Sequence, residues 1–332
     1  MTSTDNTPGT FLRPRISTVV ESVELVAHDV VALRLAAEDG HQLPTWTPGS
    51  HIDLTLPSGT VRQYSLCGDP SDASAYRIAI LREMDGRGGS AELHDAVKSG
   101  SRLMISEPKN HFKLRSSPRY LLIAGGIGIT PILSMARELS AGDSDWALYY
   151  GGRSTESMAL VPELEQICGD RLHVVPEDQL GVLDLKAIIT SWPSQGSIYA
   201  CGPGGMLKAI ETICESAERS TELVIERFAP GVTPTAEPIA ATDQRTFEVE
   251  LARSGKVLSV PTDRTILQVV RDVLDDVPSS CEEGFCGTCE CGVLGGTPDH
   301  RDEVLSDEER AAGRSMMICV SRSLSDRLIL DL

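Results

Sequence analysis

The chain has 332 residues, with 48 Asp and Glu against 30 Lys and Arg, a formal charge of -18. That length exceeds what one hydrophobic core usually serves, so two or three domains are expected. The acidic surplus repels polyphosphate backbones and anionic membrane surfaces, which argues against nucleic acid or a bilayer as partner. The opening residues MTSTDNTPGTF carry neither a basic n-region nor an apolar h-region, and no later run approaches the roughly 18 apolar residues of a membrane span, so a cytoplasmic protein is expected. Nine cysteines in so long a chain are too few for a disulfide-stapled scaffold. In a reducing cytosol they point instead to metal binding or catalysis.

From residue 16 to 114 the chain is made of short alternating segments, ISTVVESVEL, VVALRLA, HIDLTL, VRQYSL and YRIAIL, punctuated by PTWTPGS, PSGT and GDPSDAS. With a single helix-like piece, SAELHDAV, this spacing predicts a small antiparallel β-barrel over residues 1–115. From Tyr120 the style changes to buried strand candidates (YLLIAG, WALYYGG, LHVV, SIYACG, ELVIE) alternating with helical periods, the pattern of an α/β domain with a parallel sheet over 116–229. A proline- and alanine-rich composition break at 229–244 reads as a linker, taken as 230–243. Beyond it, FEVEL, VLSVP and the helix-like ILQVVRDVLDD predict a compact α+β domain over 244–332.

That last domain contains CEEGFCGTCEC, four cysteines in eleven positions. The spacing Cys281-x4-Cys286-x2-Cys289, with Cys319 after a further 29 residues, matches plant-type [2Fe-2S] ligation. Two irons need four converging thiolates, and Gly284 and Gly287 sit where such a loop must curl. A four-cysteine zinc site is the rival, but its usual unit is a closely spaced pair repeated once. Cys291 breaks the pattern and is read as a bystander, as are Cys67, Cys168 and Cys214.

Two other stretches carry ligand chemistry. In LLIAGGIGITPIL a glycine-rich turn follows a buried strand and precedes a helix, with Thr130 suited to the N-cap and Pro131 to the first helical position. Free N–H groups at such a helix start favour phosphate. SIYACGPGGMLKAI repeats the strand-turn-helix, and two glycine-rich strand ends at one end of one sheet would favour a dinucleotide. In the barrel, RQYSL offers a cation, a ring and a hydroxyl; strand alternation puts Arg62 and Tyr64 on one face, with Gln63 and Ser65 on the other. GRGGSAELHDAV sets Gly88, Gly89 and Ser90 before a short helix, an anion cradle with Arg87 and Arg62 as countercharges. Each motif by itself also reads as an ordinary strand, turn or capped helix, and their joint occurrence is what favours ligands.

RQYSL, RGGS, PKNHFKL, LLIAGGIGITP, YACGPGGM, IERF, the cysteine spacing and PDHRDEVL, in this order, resemble the phthalate dioxygenase reductase and vanillate demethylase reductase family. The resemblance spans nearly the whole chain. It implies FMN, held by Arg62 at its phosphate, Tyr64 against its rings, Ser65 near N5 and the Gly88, Gly89, Ser90 loop. It implies NADH, with Gly126, Gly128 and Thr130 at the pyrophosphate, Cys201 and Gly202 near the nicotinamide, and Glu226 and Phe228 reaching the flavin. The [2Fe-2S] ligands would be Cys281, Cys286, Cys289 and Cys319. Electrons would then pass from NADH through FMN and the cluster to a separate Rieske oxygenase, with no acid–base pair or triad and with a monomer expected. Arg153 and Ser154 are the residues that could meet an adenosine 2'-phosphate; the family favours NADH. Two rival readings are a similar reductase serving a diiron monooxygenase, and a non-enzymatic zinc-bearing module fused to a nucleotide-sensing domain.

Overall fold

The structure, a computed structural model, describes residues 15–83, 88–228, 245–274 and 277–332; Arg87 and the linker expected at 230–243 lie outside the described residues. The chain divides into two compact units, one formed by residues 16–235 and the other containing residues 236–332.

The first unit opens with β1 (Arg15–Ala27), β2 (Val30–Ala37), β3 (His51–Thr55), β4 (Val61–Ser65), β5 (Ala75–Leu81), helix α1 (Gly89–Ala96) and β6 (Arg102–Ser106). These strands form one sheet in the order β4-β3-β6-β1-β2-β5. β1 and β2 are joined through a tight hairpin that pairs Ala27 with Val30 and holds Asp29 at φ 60°, a left-handed conformation that Asp tolerates. Alternation along β2 sends Leu33 and Leu35 into the core inside the curl, with Leu54 and Ile78. Val30 and Ala32 point the other way, onto a second core. The expected barrel is not closed by a ladder. Among the described residues the end strands pair only at an isolated bridge between Leu66 and Ile78 and at the Cys67 N–H to Arg77 carbonyl bond of 2.9 Å. Past that point the GDPSD segment turns away, its Asp69 carboxyl accepting the Ser71 N–H at 2.8 Å, so no strand is left to extend the pairing.

The remainder of this unit holds five parallel strands, β7 (Arg119–Gly125), β8 (Asp145–Gly152), β9 (Leu172–Pro176), β10 (Ser197–Cys201) and β11 (Leu223–Glu226), in the order β11-β10-β7-β8-β9. Helices α2 (Ile129–Ser140) and α3 (Val161–Cys168) cover one face. The short α4 (Glu177–Leu180) follows β9, and α5 (Leu185–Ser191) and α6 (Gly204–Ser216) cover the other face. All five segments expected as buried strands are strands. The two sheets share a core: Val30, Ala32 and Ala79 of the first cluster with Leu122 of β7 and with Ile132 and Met135 of α2, which covers the second. Arg77 of β5 also pairs with Glu163 of α3 at 2.5 Å. Cys67 and Cys168 are buried in this core and Cys214 in the one beneath α6, where they act as small apolar side chains.

The second unit comprises β12 (Phe247–Leu251), β13 (Lys256–Val260), α7 (Ile266–Arg271), β14 (Glu290–Gly295), β15 (Pro298–Asp299), α8 (Asp307–Ala312), β16 (Ser315–Met317), β17 (Arg322–Ser323) and β18 (Arg327–Leu330). Its sheet runs β13-β12-β18-β14-β16, with β12 and β18 parallel. Thr265 and Gln268 form a capping box at the start of α7: each accepts the other's backbone N–H, at 3.2 and 3.0 Å. α7 lays Ile266 and Val270 on Val249, Leu251 and Leu328. The helix is shorter than the expected ILQVVRDVLDD, ending at Arg271, after which Val273 bonds back to Val270 in a tighter turn. Among the described residues no helix is long and apolar enough to cross a membrane.

Candidate flavin, nucleotide and cluster sites

The two glycine-rich strand ends lie side by side because β10 pairs with β7 in parallel, Cys201 opposite Ala124. β11 continues the register with Glu226 opposite Cys201. The chain runs from β7 outward through β8 and β9, then crosses back to β10 on the other flank, so this edge is the topological switch point where such sheets bind ligands. The approach is close enough to require glycine. A Cβ on Gly128 would lie 2.4 Å from the Cys201 carbonyl oxygen, and one on Gly202 would lie 3.0 Å from the Gly125 Cα. Gly126 instead has room but holds φ +53°. Met206, which sequence reasoning passed over within CGPGGM, is the packing partner here, its side chain filling the space that a Cβ on Gly125 or Gly202 would need.

Thr130 is not the N-cap. α2 begins one residue earlier, at Ile129, and the buried Thr130 hydroxyl donates to the Ile127 carbonyl at 3.0 Å. Pro131 accordingly sits in the third helical position, where its missing N–H is still no loss. The turn Gly126–Gly128 is itself a short helical turn leading into α2, which displaces the cap upstream. Arg153 is exposed just beyond β8, and Ser154 is tied into the following turn by its N–H bond to the Ser157 hydroxyl at 3.1 Å.

On the first sheet, β4 pairs with β3 so that Arg62 faces Leu54, Tyr64 faces Ile52 and Ser65 faces His51. The alternation holds: Tyr64 packs against the core inside the curl, where burial pushes its phenol above the usual range. Ser65 turns to the opposite face and hydrogen-bonds the Glu226 carboxyl. Here the end of β4 meets the carboxyl end of β11. Burial pushes the Glu226 carboxyl up to about 8, and its Oε2 has no hydrogen-bond partner among the described residues. The buried Cys201 thiol beside it is raised well above its ordinary range, by burial first and then by the carboxyl. Phe228, two residues on, is exposed. Gly88, at φ +80°, opens α1, and a Cβ on Gly89 would lie 2.7 Å from the Arg62 Nε, so the arginine lies directly against the start of that helix. The Ser90 hydroxyl accepts the Glu83 N–H at 3.0 Å. A cation beside a glycine-entered helix start suits a phosphate.

In the second unit the four cysteines Cys281, Cys286, Cys289 and Cys319 are all buried. Their thiols lie within hydrogen-bonding reach as a chain of neighbours. Cys281 is held below the ordinary thiol range by Cys286 and then Cys319, and Cys289 by Cys319. The loop is built on left-handed residues, Glu282 at φ 60°, Gly284 at 82° and Gly287 at 73°. Backbone N–H groups already turn onto sulfur, with Glu283 at 3.4 Å from Cys281 Sγ and Cys281 at 3.5 Å from Cys286 Sγ. Among the described residues no three His, Cys, Asp or Glu groups converge on a single ion, whereas a two-iron cluster divides its four donors between two metals. Cys291 belongs to β14 and is buried in the sheet core opposite Met316. Glu282 of this loop is paired with Arg271 at 2.8 Å.

Comparison with known proteins agrees with this division of labour. Residues 249–324 match the 2Fe-2S iron-sulfur cluster binding domain, and residues 122–212 the oxidoreductase NAD-binding domain. The chain is therefore a nicotinamide-dependent iron–sulfur oxidoreductase. It is 43% identical over 321 residues to the phenoxybenzoate dioxygenase subunit beta of Ectopseudomonas oleovorans, covering 96% of this chain and 97% of that one. It is 40% identical to the vanillate O-demethylase oxidoreductase of Pseudomonas sp. (strain HR199 / DSM 7063), covering 96% and 100%. Its structure resembles phthalate dioxygenase reductase, described as a modular structure for electron transfer from pyridine nucleotides to [2Fe-2S], with TM-score 0.67, 34% identity and 96% and 98% coverage. It also resembles part of an intact type IV self-sufficient cytochrome P450 monooxygenase, with TM-score 0.86 and 39% identity, spanning 96% of this chain and 41% of that chain. The protein belongs to the family of reductase components of Rieske-type oxygenase systems, whose cofactors are FMN, NAD(H) and a [2Fe-2S] cluster. The zinc-bearing sensor reading is thereby replaced.

Proposed function

We propose that this chain is the NADH-dependent reductase that feeds a separate Rieske oxygenase, with FMN bound where the first sheet meets the carboxyl ends of β10 and β11. One observation carries the site: Ser65, Cys201 and Glu226, from three strands, meet in one buried junction. We assign the chain to domains 1–115, 116–229 and 244–332 with a linker at 230–243, and take it to be a cytoplasmic monomer. When bound, a flavin accepts two electrons as a hydride from NADH and passes them on singly, which is why one must stand between nucleotide and cluster.

The chain's own residues bind and orient. Arg62, with Arg87, Gly88, Gly89 and Ser90, holds the flavin phosphate; Tyr64 and Phe228 flank the rings. Gly126, Gly128 and Thr130 hold the pyrophosphate, while Cys201 and Gly202, at the end of β10, stand against the nicotinamide. The four cysteines, Cys281, Cys286, Cys289 and Cys319, hold the cluster. A dry, partly unsatisfied carboxyl beside Ser65 fits a group that completes its hydrogen bonds only when the flavin edge arrives.

Arg62→Ala should lose a charge-assisted phosphate contact, weakening FMN retention by about tenfold. Flavin absorbance after extensive dialysis measures it, and full retention would remove Arg62 from the site. The Glu226 carboxyl keeps its proton until the pH approaches about 8, well above its ordinary value of 4.5. Between those values the folded protein binds the proton and the unfolded chain has released it, so this group's contribution to stability falls as pH rises through that window. Glu226→Gln should flatten that slope and also the pH dependence of flavin bleaching by NADH near pH 8. Stopped-flow bleaching from pH 6 to 9 tests this; an unchanged profile in the variant would assign the titration elsewhere.

A further inference from the structure

The segment PDHRDEVL after the cluster loop contains Asp302, a carboxyl with no side-chain exposure. Two of its bonds are local. Oδ2 accepts the N–H groups of Val304 at 3.2 Å and Leu305 at 2.9 Å, closing the turn that leads toward α8. A third leaves the segment. Oδ1 accepts the hydroxyl of Ser321 at 3.4 Å, and that hydroxyl accepts the Arg301 N–H at 3.2 Å. Ser321 is fully buried and lies two residues beyond Cys319.

The same segment grips the other ligand loop. The Glu303 N–H donates to the Gly284 carbonyl at 2.9 Å, between Cys281 and Cys286. Gly284 is wedged: a Cβ there would lie 3.3 Å from the Asp302 Cα and 2.7 Å from Val320 Cγ2, the side chain next to Cys319. Residues 301–303 thus touch both ligand-bearing segments, which are otherwise 30 positions apart in the chain between Cys289 and Cys319. Arg310 closes the arrangement from α8, donating to the Asp302 carbonyl. His300 lies 3.7 Å from Oδ1, nine-tenths buried, with neither ring nitrogen hydrogen-bonded among the described residues.

We propose that Asp302, acting through Ser321 and through Glu303 on Gly284, is a positioning residue that clamps the Cys281–Cys289 loop to the Cys319 segment. The clamp presets the four thiols for the cluster and slows its loss. This rests on the ligand assignment above. A brace across the two halves of a four-thiolate site raises retention because release of the cluster requires the halves to part, and each bridging hydrogen bond must then break.

The test uses the full-length purified protein and reads iron content, visible absorbance under an iron chelator, and the electron paramagnetic resonance spectrum of the dithionite-reduced cluster. Ser321→Ala removes the bridge and spares the local turn; it should lose iron about fivefold faster, the effect of one hydrogen bond. Asp302→Ala should lose it faster still, with an altered resonance line shape. Asp302→Asn, which keeps an acceptor for the turn and a group that can donate to Ser321, should restore retention, a rescue that generic destabilisation would not produce. FMN content and flavin bleaching by NADH should be unchanged throughout. Iron retention and line shape equal to wild type in both alanine variants would overturn the clamp alone. A wild-type protein carrying no iron would overturn the ligand assignment and the clamp with it.

Discussion

Cys286→Ser is expected to abolish electron delivery beyond the flavin while leaving the bleaching of that flavin by NADH intact. Cys286 is buried, accepts the Cys281 N–H and engages the Thr288 hydroxyl at 3.3 Å, so its sulfur is fixed within the thiol chain by neighbours on both sides. Serine offers a hard oxygen with a far higher pKa in place of a soft thiolate, and iron–sulfur centres select thiolate. Iron content should fall to a small fraction of wild type, and reduction of a one-electron acceptor that takes electrons from the cluster should fall by at least two orders of magnitude. Because the cysteines and the nucleotide site lie in different compact units, the rate of flavin bleaching should stay within about twofold of wild type. If the variant failed to bleach its flavin, the separation of hydride and single-electron chemistry between the two units would be wrong.

The second large effect is expected at Gly128. An alanine methyl would lie 2.4 Å from the Cys201 oxygen, 2.5 Å from its carbonyl carbon and 2.7 Å from the Gly202 nitrogen. All three are backbone atoms at a strand end, so no rotamer change relieves the overlap and the turn must shift away from β10. Overpacking of this kind costs about 1–3 kcal/mol, readable as a lower denaturant midpoint. The same shift moves the start of α2 relative to Cys201, so KM for NADH should rise about tenfold or more. Gly126→Ala is the internal control for the stability readout. Nothing lies within 4 Å of its Cβ position, and only the left-handed φ of +53° is strained, at about 1 kcal/mol. A Gly128→Ala protein with wild-type KM and stability would show that the two strand ends can separate without consequence for nucleotide binding.

What the sequence made legible depended on how local the cause was. Four cysteines at a set spacing on a glycine-bearing loop are readable because iron–sulfur geometry is demanding and the loop is short. The five parallel strands were readable because YLLIAG and SIYACG are apolar without alternation, as strands covered on both faces must be. Thr130 misled because an N-cap signal assumes that the chain enters the helix from extended backbone, whereas Gly126–Gly128 enters as a helical turn. The barrel was overextended for a similar reason: strand periodicity marks each strand but says nothing of whether the first and last pair along their length. Least legible were the burial of Glu226 and the role of Asp302. The resemblance placed Glu226 near the flavin, but only long-range packing buries its carboxyl and leaves Oε2 without a partner among the described residues, and an aspartate in a charged loop likewise gives no local sign of its burial. For Asp302 a signal existed in hindsight, since an Asp three positions before Leu305 is spaced to cap a turn.

The core shared by the two sheets of the first unit also sets the grain along which this reductase can be taken apart. Val30, Ala32 and Ala79 are packed against Leu122, Ile132 and Met135, so separating the halves at Ser117 would uncover two matching apolar faces. For anyone recombining such proteins, the nucleotide half is not an exchangeable part. It travels with its flavin half, and a graft that respects one sheet while replacing the other must redesign both faces of that seam.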